Sequence, residues 1–162
     1  MKMIFTWKEV IVRNGLTTIA RYPASCKVRH ELNGKRRLHY PKDVILTYPD
    51  SGDREPYMPR QYPSGIFLVT GIEWTKDPKY APVKIRTNAL REVFIWDLDK
   101  NGGYDKPTEK IQIDTQYHIH YTDYKTTHGC IRGGSNRNEM ASLARMIEPV
   151  FESGDPVYLE VL

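Results

Sequence analysis

Three imidazoles, a thiol and a guanidinium fall between positions 118 and 132: His118, His120, His128, Cys130 and Arg132. Cys130 stands in Thr126-Thr127-His128-Gly129-Cys130-Ile131-Arg132-Gly133-Gly134, ten positions after His120 in Tyr117-His118-Ile119-His120-Tyr121. A free thiol ionises near pH ~8.5, so at neutral pH it needs a base to become a useful nucleophile. An imidazole titrating near ~6.5 can take that proton and later return it to a leaving amine. The amides of His128, Gly129 and Cys130 lie in a glycine turn of the kind that builds an oxyanion hole. Arg132 could hold a substrate carboxylate or the developing charge. Together these parts read as a cysteine-nucleophile acyl-transfer site.

Two other readings use the same residues. His118-x-His120 and His128-x-Cys130 form two pairs of metal ligands, and three histidines with one cysteine could hold zinc, although structural zinc sites more often use two or more thiolates. More plainly, the histidines could be hydrogen-bonded inside a β core with Cys130 as a small apolar residue. The glycines and the arginine around the thiol weigh toward catalysis. His30 and His39, in a polar and basic stretch, read as solvated side chains. Cys26 follows Ala24-Ser25 without a neighbouring histidine or glycine and reads as a packed or surface thiol. Two cysteines give no framework of spaced thiols that would argue for a disulfide.

The elements that must position this cluster are mostly short strands. Ile4 to Trp7 and Glu9 to Arg13 are apolar-rich, and Asn14-Gly15 marks a hairpin into Leu16 to Arg21. Tyr22 to Tyr40 has little periodicity and reads as a long loop or an irregular hairpin. Val44 to Tyr48 is a strand ended by Pro49-Asp50-Ser51-Gly52-Asp53. Tyr62-Pro63-Ser64-Gly65 is a turn launching Ile66 to Gly71, an apolar run suited to a buried strand. Val83 to Arg86 and Val93 to Trp96 continue the pattern, with Lys100-Asn101-Gly102-Gly103 as a turn. Strand alternation places His118 and His120 on one face of Tyr117 to Tyr121. One helix is expected after the cysteine: Asn136 with Glu139 forms a capping box, and Met140, Leu143, Ala144, Ile147 and Phe151 recur at helical spacing. Gly154-Asp155-Pro156 ends it, and Val157, Leu159 and Val161 alternate as a last strand. The fold class is mainly β, a β-rich α+β sandwich or barrel with one helix in the C-terminal half beside the active site, forming a single domain over 1–162.

At 162 residues, 40% hydrophobic and 27% charged, the chain has the composition of one globular domain. The net charge of +4 is spread out, apart from Lys35-Arg36-Arg37 and the stretch 54–60, so a nucleic-acid partner is not expected. No apolar run reaches the ~20 residues of a membrane span, and residues 1–9 do not read as a signal peptide.

The active-site residues resemble the L,D-transpeptidase catalytic domain of the YkuD type. Its signature is an Ile-His element followed by Ser/Thr-His-Gly-Cys-hydrophobic-Arg/Asn, and Ile119-His120 and Thr127-His128-Gly129-Cys130-Ile131-Arg132 are similar to it at every position. Tyr62-Pro63-Ser64-Gly65-Ile66-Phe67 resembles the Thr-Pro-x-Gly-x-Phe strand start, and Gly154-Asp155-Pro156-Val157-Tyr158-Leu159 resembles the ending. The resemblance covers roughly 44–162, leaving 1–43 as a more variable N-terminal part of the same domain. The gap between histidine and cysteine is short for the family, and Tyr121 stands where a glycine is common.

The resemblance implies an L,D-transpeptidase or L,D-carboxypeptidase acting on peptidoglycan muropeptides. Cys130 would attack the stem peptide after its third residue, releasing D-alanine, and the thioester would pass to an amine or to water. His120, which follows Ile119 as the signature requires, would be the base, with His118 as its rival. His128 and Gly129 would shape the oxyanion turn, and Arg132, Thr127 and Tyr121 would contact substrate. No cofactor is implied. The substrate lies outside the cytoplasm, so the protein is expected to reach the periplasm or cell wall by export or delivery, as an antibacterial effector with an immunity or delivery partner or as a phage enzyme. A cell-wall-binding module that has lost catalysis is the non-enzymatic alternative.

Overall fold

A computed structural model describes residues 1–27, 31–32, 35–36, 62–98, 104–115, 117–124, 127 and 129–162. In chain order the elements are β1 (Lys2–Phe5), β2 (Glu9–Asn14), β3 (Thr17–Ser25), β4 (Glu31–Leu32), β5 (Lys35–Arg36), β6 (Gly65–Trp74), β7 (Val83–Thr87), β8 (Arg91–Leu98), β9 (Tyr104–Asp114), β10 (His118–His120), β11 (Ile131–Gly133), α1 (Arg137–Glu152) and β12 (Tyr158–Val161). Eight strands close into a barrel in the order β1-β12-β6-β7-β10-β11-β3-β2, while β4–β5 and β8–β9 form separate two-stranded sheets. Closure gives each of the eight strands a partner on both sides, leaving no open sheet edge among them. The mainly β architecture with one helix agrees with the sequence expectation, and β1 to β3 make the N-terminal residues an integral part of the barrel.

The hairpin at Asn14-Gly15 forms as expected, with Gly15 at φ +58° and β2 paired to β3. The turn between β1 and β2 carried no strong sequence signal. It is made by Trp7 at φ +70°, whose indole Nε1 donates to Leu162 O at 2.5 Å. The strand after the hairpin is longer than expected: β3 runs to Ser25, because Tyr22 and Pro23 pair with Val10 and Glu9 and Ala24 pairs with Gly133. Pro23 is a poor central-strand residue, yet its carbonyl still accepts from Gly134 N–H at 2.7 Å.

The run from Ile66 to Gly71 is not a fully buried strand. In β6 only alternate residues turn inward: Val69 is buried, whereas Ile66 and Leu68 are 63% and 39% exposed. A barrel strand has one face to the core, so a continuous apolar run there still leaves half its side chains outside. The strand expected at Val44 to Tyr48, its terminator and the turn at Lys100 to Gly103 lie outside the described residues.

The core is one cluster. Met3, Phe5, Ile85, Ile119, Ile131 and Leu159 are all fully buried, and each such aliphatic or aromatic side chain contributes about 1.5–3 kcal/mol of burial. The helix forms where its apolar spacing places it. Asn136 accepts from Glu139 N–H at 2.9 Å, and Glu139 Oε2 accepts in return from Ser135 N–H at 2.7 Å. Its buried face (Met140, Leu143, Ala144, Ile147) lies against β3, β6, β7 and β11. Gly133 permits that approach, since a Cβ there would meet Met140 Sδ at 2.8 Å and Ile119 Cγ2 at 3.1 Å. Gly154 at φ +85° follows the helix, and Val157, Leu159 and Val161 are buried as the alternation requires. No helix of the described residues is long and apolar enough to cross a membrane.

Candidate active site

The parallel pairing of β10 with β11 is what assembles the two sequence elements. Ile119 is in register with Ile131, and His120 with Arg132; Cys130 immediately precedes the first of these pairs. On its other side β10 pairs with β7, so His120 lies opposite Lys84 and His118 opposite Arg86. Ile119, Ile131 and Ile85 fill the core, and alternation therefore turns His118, His120, Arg132, Lys84 and Arg86 to the other face. His118 and His120 share a face, as read from the sequence.

His120 is 5% exposed, and its Nδ1 lies 3.0 Å from Tyr121 O. A carbonyl can only accept, so Nδ1 carries the proton and Nε2 presents its lone pair. Tyr80 packs edge-on against this ring, with centroids 5.1 Å apart, and against His118 at 6.2 Å. Nothing in Lys79-Tyr80-Ala81-Pro82 signalled that role in sequence.

The turn before Cys130 is held by its own threonine. Thr127 N–H donates to Lys27 O at 2.7 Å, and Thr127 Oγ1 donates to Cys130 O at 2.6 Å and accepts from Gly129 N–H at 3.3 Å. Gly129 sits at φ +119°, a conformation that favours glycine. Of the amides expected to line an oxyanion turn, that of Gly129 is thus directed onto Thr127. His128 lies outside the described residues.

Both thiols are buried, Cys130 at 8% and Cys26 at 3% exposure, and they form no disulfide. Cys26 Sγ donates to Gly129 O and accepts from Tyr62 N–H, each at 3.2 Å. It ties the residue before Cys130 to the end of β3 and to the segment preceding β6. Sequence reasoning gave Cys26 no such role; its only signal is a spacing of two from Ala24, also buried. Tyr62 belongs to the core rather than to a surface turn. Its hydroxyl bonds Thr87 Oγ1, and burial drives its ionisation well above the ordinary phenol range. The Thr87 bond works in the opposite direction, while the neighbouring sulfurs of Cys130 and Cys26 add to the rise.

Arg132 Nε donates to Thr122 O at 2.7 Å, and its guanidinium lies over the Tyr121 ring at 4.9 Å. The side chain is thereby fixed on the face that carries His120. His118 differs from His120 in two respects. Its Nδ1 is buried with no hydrogen-bond partner among the described residues. Its pKa is pushed down to about 4 by burial, then by the neighbouring Lys84, His120 and Arg86. Among the described residues no group of three or more His, Cys, Asp or Glu side chains is arranged to hold a metal ion.

The sequence-read residues Thr127, Gly129, Cys130, Arg132, His120 and Tyr121 are therefore contiguous around β10 and β11, with His118 on the adjoining position. Compared with known proteins, the chain matches no family model, no curated protein and no solved structure.

Proposed function

We propose that the protein is a cysteine acyltransferase of the L,D-transpeptidase type, cleaving peptidoglycan stem peptides after the third residue and releasing D-alanine. The observation that carries this reading is the β10–β11 register, which aligns His120 with Arg132 two residues from Cys130, together with the His120 Nδ1 bond to Tyr121 O. That bond leaves Nε2 as the proton acceptor.

In the proposed reaction His120 Nε2 takes the proton of Cys130 Sγ, and the thiolate attacks the carbonyl of the third stem residue. As the tetrahedral intermediate collapses, the proton passes to the departing amine of D-alanine and a thioester remains on Cys130. An amine acceptor then forms a crosslink, or water releases the trimmed peptide; in either case the thiol is restored. Arg132, held by Thr122 and Tyr121, supplies positive charge on the same face. His118 is the weaker base, since a group protonated only below about pH 4 draws little on a thiol proton.

The test is mass spectrometry of defined tetrapeptide muropeptides after incubation with the protein. Loss of D-alanine is expected in the wild type and not in Cys130→Ala. Equal turnover by both would remove Cys130 from the reaction. Acylation of Cys130 by a carbapenem, read by intact mass, is the parallel check.

The 8% exposure of Cys130 favours a second reading, a cell-wall-binding module of this architecture without catalysis. Retention of intact sacculi by both proteins, with no product and no carbapenem adduct, would select it.

A further inference from the structure

An open cleft of about 430 Å³ lies on the face of β7 and β10 turned away from the core, and Lys84, Arg86, Tyr80 and His118 are among its lining, with hydroxyls from Thr70 and Thr115. Its charge is unbalanced. Lys84 Nζ and Arg86 Nη2 share one acid, Glu73, at 3.2 and 2.5 Å, so two cations against one carboxylate leave a formal charge of +1.

The cleft also has an unmet hydrogen-bonding group. His118 Nδ1 is buried without a partner among the described residues, and leaving such a group unsatisfied is unfavourable. With the ring proton on Nδ1, an acceptor brought by a ligand would satisfy it. Burial first, and then the surrounding cations, keep His118 neutral, and an arriving anion would offset those cations. The sum of +1 suits a monoanion better than a dianion, and the planar guanidinium of Arg86 suits a carboxylate.

We propose that this cleft binds a free carboxylate of the acyl donor. The proposal rests on the acyl-transfer reading for the location of the donor, because the cleft adjoins the proposed reacting residues. Tyr80 is common to both, packing on His118 and on His120, and Lys84 is the register partner of His120. A stem peptide cleaved at Cys130 offers the C-terminal carboxylate of the leaving residue, and an acidic third residue would offer a side-chain carboxylate as well.

The experiment compares kcat/KM for three tetrapeptides: one with both carboxylates free, one amidated at the C-terminus, and one amidated on the third side chain. In the wild type, amidation of the recognised carboxylate is expected to lower kcat/KM tenfold or more. Which peptide suffers identifies the source. Arg86→Gln and Lys84→Gln are expected to lose most of that discrimination. Glu73→Gln, which raises the formal charge from +1 to +2, is expected to strengthen it. Equal use of all three peptides by the wild type, or full discrimination surviving in both Arg86→Gln and Lys84→Gln, overturns the proposal.

Absence of product from every peptide, with no carbapenem adduct on Cys130, would instead be a failure of the acyl-transfer reading. The cleft is then read by titrating acetate against the folded protein and following the His118 imidazole by NMR. A saturable shift that is lost in Arg86→Gln supports anion binding, and no shift in the wild type overturns it.

Discussion

On the inner side of the β10–β11 pair, Ile119 and Ile131 are fully buried and Gly133 meets the sulfur of Met140, with no room for another methyl group. On the outer side of the same two strands stand His118, His120 and Arg132, facing Lys84 and Arg86 across β7. The residues alternate along one backbone, so both faces share one fold, but each is satisfied differently. The inner face is complete by packing alone. On the outer face His120 and Arg132 are oriented through main-chain carbonyls of Tyr121 and Thr122, while His118 keeps a buried nitrogen without a described partner. The lesson is that the core fixes where the outer groups stand, and the carbonyls fix how they point.

The largest separation of the two faces is expected from His120→Gln. A glutamine retains an amide to bond Tyr121 O but has no basic nitrogen, so D-alanine release should fall about 10²- to 10⁴-fold. Thermal stability should change little, because the Tyr121 bond is worth only about 1 kcal/mol net. Rates on muropeptides beside melting curves of the same samples check both halves. A variant that melts far earlier and turns over normally would mean that His120 belongs to the packing and not to the chemistry.

Gly133→Ala is the converse on the inner face. The added Cβ would lie 2.8 Å from Met140 Sδ and 3.1 Å from Ile119 Cγ2, so the helix or the strand must shift. Overpacking of this kind costs about 1–3 kcal/mol, and the flexibility of methionine favours the lower end. Chemical denaturation should show the loss, with D-alanine release per folded molecule closer to wild type than in His120→Gln. An unchanged denaturation midpoint would show that the contact relaxes freely.

This contrast also explains what could be read from sequence. Ile119, Ile131 and the helix stripe Met140, Leu143, Ala144 and Ile147 are legible because burial imposes a period, two in strands and 3.6 in helices. Thr127, Gly129 and Cys130 are legible because a tight turn beside a thiol demands particular residue types. The contributions of Cys26, Tyr62 and Tyr80 were not legible. Each acts on the site through a contact far away in sequence, such as Cys26 Sγ on Gly129 O, 103 residues apart, and no local pattern encodes a partner at that distance. The length of β3 was hidden for a related reason. Pro23 discourages a strand locally, but its pairing with Glu9 and the bond from Gly134 to its carbonyl are decided by the barrel.

The smallest expected effect sharpens the comparison through acid. His118 takes up its proton near its ordinary value of 6.5 when unfolded, but only at about 4 when folded. Burial is the main cause, and the groups facing it are Lys84, Arg86 and His120, with Tyr80 packed on its edge. Between these two values the unfolded chain binds more protons than the folded one, so stability rises with pH. The contribution is therefore intact above about pH 6.5, declines as pH falls toward 4, and declines no further below that. Because the ring is only half-buried, the loss should be roughly 1–2 kcal/mol. Denaturation midpoints of wild type and His118→Asn, followed from pH 7 to 4.5, should diverge in slope, with the variant the flatter of the two. Carboxylates such as Glu73 titrate in both proteins and cancel in that difference, so parallel curves would mean that the outer face solvates His118 as water does.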